Sequence, residues 1–170
     1  MDMVDDTELL RRYAETGSES AFSELVTRHL PLVYSAALRQ VNGDVHLAQD
    51  VAQCVFSDLA RKAASVARRL SAESQVLSGW LYTSTRFAAS KLVRAERRRD
   101  RREHKALAMS ETVTAPASHF DTEWEHLRPA LDDAMSQLKA KDRDAVLLRY
   151  FEGKELKAVG TALGLSEDAA

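Results

Sequence analysis

The residues best suited to act on a partner are cations concentrated in one stretch of the chain. Residues 86–105 contain nine Lys or Arg and three Asp or Glu, whereas residues 1–60 and 106–170 are both net acidic. Side chains of Arg and Lys bind phosphates, so a basic cluster this dense is typical of a nucleic-acid interface. The alternative is a solvated helix face, because runs of charge often have no partner.

Patterns for catalysis and for metal binding are weak. The five histidines and the single Cys54 lack zinc-site spacing. His46, Asp50 and Cys54 do fall at i, i+4 and i+8, which is compatible with metal binding, but such a set is more often a surface stripe. The sequence has no Gly-rich phosphate loop and no G-x-S-x-G nucleophile motif. We therefore predict no enzyme activity, no bound metal and no cofactor.

The elements that position these residues are predicted to be helices, since the chain has only six Gly and three Pro. Apolar residues recur at intervals of three and four. Pro31 is expected to kink its helix or to begin a second one, and residues 63–77 read as a loop in which a short helix could form. Candidate N-cap residues are Asp5, Asp6 or Thr7, Ser18 or Ser20, Asp44, and Ser78.

The C-terminal third predicts a separate group of short helices. Residues 109–119 are polar and contain Pro116, which is typical of a linker. The apolar stripe from Trp124 to Leu138 predicts a first helix. A second helix is predicted over residues 142–152 and a third over residues 155–163. Apolar positions predicted to lie inside these helices are Trp124, Leu127, Leu131, Met135, Leu138, Leu156, Val159 and Leu163.

The end of the chain has the pattern of a helix-turn-helix. Gly160 is the small residue within the first helix, Gly164 makes the turn and Ser166 can cap a second helix. Any helical hairpin can imitate this spacing. The sequence stops within the first turn of that second helix, so we expect a helix-turn-helix truncated before its recognition helix.

Three segments together resemble the RNA polymerase sigma factors, specifically the extracytoplasmic-function (ECF) class of the sigma-70 family. ESAFSELVTRHLPLVYSAALRQVNGDVHLAQDVAQCVF and GWLYTSTRFAASKLVRAERRR resemble the start and the promoter-contacting helix of sigma domain 2. LRPALDDAMSQLKAKDRDAVLLRYFEGKELKAVGTALGLSEDAA resembles sigma domain 4. The resemblance implies an all-α fold of two small helical domains: sigma domain 2 at residues 1–106, a short linker at 107–122, and sigma domain 4 at 123–170.

The resemblance also implies roles for particular residues. Asp50, Gln53 and Ser57 would dock on the clamp helices of the polymerase largest subunit, and the residues at i and i+3 are helical neighbours. Cys54 stands where the family usually has an acidic residue. Segment 63–77 lies where relatives capture a flipped base, while Trp80 is expected to be mainly core. Residues implied to face promoter DNA are Arg86, Lys91, Arg94, Arg97, Arg98 and Arg99.

The predicted function is that of a sigma factor, which binds core RNA polymerase and directs promoter recognition and DNA opening. Two alternatives remain: a sigma-like interaction module that cannot start transcription, and a dimeric helix-turn-helix regulator that binds duplex DNA without polymerase. Core RNA polymerase, promoter DNA and an anti-sigma factor are the expected partners. Because no apolar run approaches the ~20 residues of a membrane span, and one Cys cannot form an internal disulfide, we expect a cytoplasmic protein without membrane insertion.

Overall fold

The computed structural model describes residues 5–73, 76–107 and 122–165, and no β-strand occurs within these ranges. The all-α prediction is thereby confirmed. The predicted linker segment 109–119 and the cap Ser166 lie outside the described residues. The elements are α1 Asp6–Thr16, α2 Glu19–Gln40, α3 Val45–Glu73, α4 Leu77–Leu107, α5 Thr122–Gln137, α6 Ala140–Val146, a π-helical turn Leu147–Phe151, and α7 Leu156–Leu163.

Helices α1 to α4 form an N-terminal bundle around one apolar core. Leu25, Val33, Val51, Leu59 and Leu81 are fully buried there. Burying each such side chain stabilises the fold by about 1.5–3 kcal/mol. Because α1, α2 and α4 all pack against α3, this core fixes which side of α3 and of α4 remains in solvent.

Three of the predicted N-caps are confirmed, at Asp5, Ser18 and Asp44. The amide of Thr7 donates to Asp5 Oδ2 at 3.2 Å, and Gly17 ends α1 with a left-handed φ of 69°. Ser18 Oγ accepts from the Ala21 amide at 3.4 Å, and Asp44 Oδ1 accepts from the Leu47 amide at 2.9 Å. These side chains satisfy amides that the first turn of a helix leaves unpaired.

The predicted cap at Ser78 is wrong. Helix α4 begins at Leu77, two residues before the start at Gly79 that a cap at Ser78 implies. Ser78 is fully buried, and its hydroxyl has no hydrogen-bond partner in the described part of the chain. Leu77 packs in the bundle core, which favours the earlier start.

The predicted loop is also wrong over residues 63–73, because α3 continues without a break to Glu73, while residues 74 and 75 lie outside the described residues. Ala63, Val66, Ala67 and Leu70 are buried at helical spacing beyond Leu59. They extend the apolar side of α3 along α1. Two of the four are alanines, whose small side chains gave the stripe a weak signal in the sequence.

Pro31 does not begin a second helix, since it lies inside the single helix α2. Proline removes one backbone hydrogen bond from a helix interior. On either side of that gap, Leu25, His29, Leu32 and Val33 are all buried. Packing of this face holds the helix together through the proline.

The C-terminal unit, α5 to α7, has a small core of its own and a shared one. Leu148, Val159 and Leu163 pack together. A seam cluster joins the unit to the bundle and consists of Leu32, Ala36, Tyr82, Met135 and Leu147.

Three leucines predicted to be internal are exposed instead. These are Leu131 and Leu138 in α5 and Leu156 in α7, of which Leu156 is 51% exposed. Leu156 is the first residue of a helix of eight residues, so it lies past the edge of the small core. Side chains of Trp124 and Leu127 lie outside the described residues.

Candidate functional site

The three polar residues predicted on α3 do share one exposed surface, which we term the α3 polar face. Asp50, Gln53 and Ser57 are all exposed and follow one another at i, i+3 and i+7. The opposite side of the same turns carries Val51 and Val55, both buried in the bundle core. Burial of those apolar side chains therefore determines that the polar ones point to solvent.

Two grooves flank the α3 polar face and meet at Gln53. On the α2 side, an apolar groove of about 570 Å³ includes Leu30, Tyr34 and Phe56. On the α4 side, a groove of about 590 Å³ contains Gln53 and Ser57 together with Phe87 and Lys91. The α3 polar face and the basic helix α4 thus form adjoining parts of one surface.

Helix α4 presents part of its basic cluster as a single stripe. Phe87, Lys91, Arg94 and Arg98 are exposed and recur at i, i+4, i+7 and i+11, which places them on one side of a helix of 3.6 residues per turn. We term this set the α4 stripe. Cations at this spacing can follow a phosphate backbone, and an exposed aromatic ring can stack on a base.

The other three predicted DNA contacts are placed differently. Arg97 is exposed beside the stripe, and Arg99, also exposed, lies about 100° past Arg98 around the helix. Arg86 is half-buried, and its Nε is enclosed without a hydrogen-bond partner in the described residues. Arg86 lies one turn after the buried Tyr82 on the same side of α4, away from the stripe, and its charge acts to lower the pKa of Tyr82.

A third groove, of about 440 Å³, lies where α3, α4 and α6 meet, and we term it the Trp80 groove. Trp80 packs against the bundle core while also lining this groove, which agrees with its expected role as mainly core. Cations from two helices and one carboxyl group border the same space. Its charged and aromatic lining residues are Lys62, Arg69, Trp80, Phe87, Arg143 and Asp144.

Asp144 is the carboxyl group that borders this groove, and burial perturbs its pKa. Burial raises its pKa to about 6, and the charge of Arg143 offsets only part of that rise. Its carboxyl oxygens approach Gly79 so closely that a Cβ at position 79 would meet Oδ1 at 2.0 Å. Glycine at the start of α4 is therefore what permits this contact.

A second polar contact joins the two parts of the chain at Asp132 in α5. The Tyr82 hydroxyl donates to Asp132 Oδ1 at 3.3 Å, and Arg39 Nε lies 3.4 Å from the same oxygen. Burial raises the pKa of Tyr82 to about 12, and the Asp132 charge adds to the rise. The Arg39 guanidinium also lies 5.9 Å from the centre of the Phe151 ring.

Potential metal ligands converge elsewhere than at His46, Asp50 and Cys54. In the part of the chain that the structure describes, the group whose ligand atoms lie within 4.8 Å of one another is Asp6, His29 and Glu152.

Cations already engage two of those ligands. His29 Nε2 and Asp6 Oδ2 are 2.7 Å apart, Arg28 pairs with Asp6, and Lys154 Nζ lies 3.0 Å from Glu152. Burial would raise the pKa of Asp6, but His29 and Arg28 hold it below its usual value. The cluster is thus an ion-paired network.

Sequence reasoning missed two residues of these surfaces. Phe87 is 73% exposed, and its position on the α4 wheel opposite Tyr82 and Ala89, both buried, was a usable signal. Asp144 had no usable signal, because its burial depends on α6 meeting α4 across a long separation in sequence.

No helix within the described ranges is long and apolar enough to cross a membrane.

Comparison with known proteins matches both parts of the chain. The family model described as Sigma-70 region 2 matches residues 25–99, and the one described as Sigma-70, region 4 matches residues 128–170. The chain is also 32% identical over 155 residues to the RNA polymerase sigma factor CarQ of Myxococcus xanthus. That alignment covers 91% of this chain and 83% of the relative.

Proposed function

Because the chain belongs to the extracytoplasmic-function class of the sigma-70 family of RNA polymerase sigma factors, we propose that it binds core RNA polymerase and opens promoter DNA. Its role in transcription initiation follows from the family. We infer that it acts by binding and not as an enzyme. The proposed domains are residues 1–106 and 123–170, connected by residues 107–122, and an anti-sigma factor is a further proposed partner.

The observation that carries the proposal is the position of the α3 polar face next to the α4 stripe. Gln53 and Ser57 line the same groove as Phe87 and Lys91. A protein that holds polymerase and DNA at once needs adjoining surfaces for the two. A regulator that binds duplex DNA alone has no use for the exposed Asp50 and Gln53 on the neighbouring helix.

We propose that the clamp helices of the polymerase largest subunit dock on the α3 polar face. Asp50 supplies a carboxylate, while Gln53 supplies an amide that can donate and accept. The apolar groove beside Gln53, with Leu30 43% exposed at its edge, provides area to bury around these polar contacts. A polar anchor beside apolar area is the usual make-up of a stable interface.

We propose that the α4 stripe contacts promoter DNA. Lys91, Arg94 and Arg98 would hold phosphates, and Phe87 would stack on an unpaired base. Arg97 borders this surface. Arg86 and Arg99 were predicted as DNA contacts too, but neither lies on the stripe, so we assign the DNA contact to Lys91, Arg94 and Arg98 first.

The proposal is tested by co-purification with core RNA polymerase. We expect the wild-type chain to bind and the Asp50→Arg, Gln53→Arg variant to bind at least ~10-fold more weakly. Reversing one charge and removing hydrogen bonds at an interface makes the free energy of binding less favourable, and a tenfold loss of affinity corresponds to about 1.4 kcal/mol. Glu19→Arg, Ser23→Arg is the matched control, because both residues are exposed on α2 and the charge change is identical.

Three results would count against the proposal. Equal loss of binding in the control pair would remove the α3 polar face as the docking site. Failure of the wild-type chain to bind polymerase while it binds duplex DNA would favour the dimeric helix-turn-helix regulator. Binding to polymerase without any transcript would favour the interaction module.

A further inference from the structure

We propose that Asp6, His29 and Glu152 form a binding site for a divalent metal ion of the zinc type. The three residues lie on α1, on α2 and directly after the π-helical turn of the C-terminal unit. None of them belongs to α3 or α4. The inference therefore goes beyond the proposed polymerase and DNA contacts and does not depend on them.

The donor set of this cluster is one imidazole and two carboxylates. Zinc in proteins is bound by these groups, and sites with three protein ligands leave the fourth position to water. Magnesium and calcium prefer oxygen ligands, whereas imidazole suits zinc, nickel and copper. The imidazole of His29 thus distinguishes this cluster from a purely acidic one and selects the class of metal.

The donor atoms already lie close enough to share one ion. His29 Nε2 and Asp6 Oδ2 are 2.7 Å apart, and the donor atoms of all three residues lie within 4.8 Å of one another. Around a four-coordinate zinc with bonds of about 2.0–2.2 Å, donor atoms are separated by about 3.4 Å. The observed spacings bracket that value, so side-chain shifts of about 1 Å complete the geometry.

The fold holds each ligand on a defined part of the backbone. His29 is 1% exposed on the inner side of α2. Asp6 is the first residue of α1, whose start is fixed by the Asp5 cap. The Glu152 amide donates to the Leu147 carbonyl at 3.2 Å and so closes the π-helical turn. Ligands held on such elements are well placed to bind an ion together.

Two cations balance the carboxylates in the metal-free chain, and both have another place to go. Arg28 pairs with Asp6, but its Nη2 also lies 2.7 Å from Glu24 Oε1. Lys154 Nζ lies 3.0 Å from Glu152, and the Lys154 side chain is 39% exposed. A divalent ion brings the same two positive charges. It therefore replaces both cations without leaving a partly buried carboxylate unpaired.

The ion would join three elements that are far apart in the sequence. The unfolded chain does not hold these donors together, so the metal binds the folded chain and stabilises it. The predicted property is a free energy of unfolding that depends on zinc. An ion-paired network alone does not have this property.

Zinc titration of the full chain tests the site. The background is His46→Ala, Cys54→Ser, which removes two exposed donors of α3 from competition. We expect calorimetry to show a single saturable site, and Tm to rise by about 5 °C or more when free zinc is a hundredfold above Kd. Magnesium at the same concentration should leave Tm unchanged, because it prefers oxygen ligands to imidazole.

Substitution of a carboxylate locates the bound ion. Glu152→Gln should weaken zinc binding at least ~10-fold, because it replaces a charged donor by a neutral one. Glu155→Gln is the matched control, since Glu155 is exposed and undergoes the same change three residues later. Asp6→Asn tests the other carboxylate in the same way. Circular dichroism without zinc verifies that each variant is folded.

Other results would overturn the inference. Equal zinc affinity in Glu152→Gln and in its control would mean that the ion binds elsewhere. No saturable zinc binding, or an equal rise of Tm with magnesium, would leave Asp6, His29 and Glu152 as an ion-paired network only. None of these measurements uses polymerase or DNA, so a negative result leaves the proposed function standing.

Discussion

The chemistry of Asp144 departs strongly from its behaviour in solution. Asp144 is 6% exposed, and its pKa rises from 3.8 to about 6 because burial disfavours its charge. A carboxyl group whose pKa is raised on folding stabilises the fold while it is protonated. That stability is complete below pH 3.8 and is lost as the pH rises through about 6. At neutral pH, Asp144 therefore weakens the packing that surrounds it.

This electrostatic penalty predicts the effect of Asp144→Asn. The neutral amide should raise the free energy of unfolding at pH 7.5 by about 1–3 kcal/mol, the order of a two-unit pKa shift. The gain should disappear near pH 4, where the wild-type carboxyl is largely protonated. Urea denaturation at the two pH values measures both numbers.

Asp133→Asn is the control for that comparison, since Asp133 is an exposed carboxyl on α5. Asp133→Asn removes the same charge, but from a side chain that is exposed to water. A gain of equal size in Asp133→Asn, or a gain that does not change between pH 7.5 and pH 4, would assign the effect to overall charge and contradict the role of burial.

The exposure of individual residues could be predicted where it depends only on the periodicity of their own helix. Asp50, Gln53 and Ser57 could be placed on an exposed face because the periodicity of α3 alone separates them from Val51 and Val55. The partial burial of Arg86, whose Nε is enclosed, could not be predicted, because its basic side chain was assigned with the rest of the cluster to the exposed surface.

At the level of elements, α3 shows that small buried residues make a helix hard to predict from its apolar pattern. Its last turns pack through Ala63 and Ala67 against α1, so the apolar stripe there consists partly of methyl groups. Arginines and serines fill the other positions and resemble a loop. N-cap side chains, by contrast, act through hydrogen bonds to adjacent turns, and the starts of α1, α2 and α3 could be predicted from them.

The continuity of α3 predicts the effect of Ala64→Gly. Ala64 is exposed in the interior of the helix, so glycine should lower the free energy of unfolding by about 1 kcal/mol through lost helix propensity. In a loop the same change would have little effect. Ala64→Leu is the control, because leucine also favours helix and should leave stability within ~0.5 kcal/mol. A neutral Ala64→Gly would restore the loop interpretation.

For the whole molecule, the important property is how charge is distributed over its surface. The net charge of −2 would give little general attraction to DNA, so binding must come from a local concentration of cations. The α4 stripe supplies it on one side of one helix, next to the α3 polar face. The sequence revealed the concentration but not the stripe, since exposure of α4 depends on what the C-terminal unit covers.

A localised site makes a sharp prediction for the salt dependence of DNA binding. Each cation that neutralises a phosphate adds about 0.7 to the slope of log affinity against log salt for single strands. Replacing Lys91, Arg94 and Arg98 together by Ala should therefore lower that slope by about 2. Titrations of a fluorescein-labelled single-stranded oligonucleotide, followed by anisotropy over a range of salt concentrations, measure the slope directly.

The matched control distinguishes a site from a diffuse field. Arg11, Arg12 and Arg68 are exposed on a different part of the bundle, and the first and last of them line the groove between α1 and α3. Replacing these three by Ala changes the net charge by the same amount. If the cations act only through net charge, both triple variants should lose equal slope. If the α4 stripe holds the phosphates, the control should keep the wild-type slope while the stripe variant loses it.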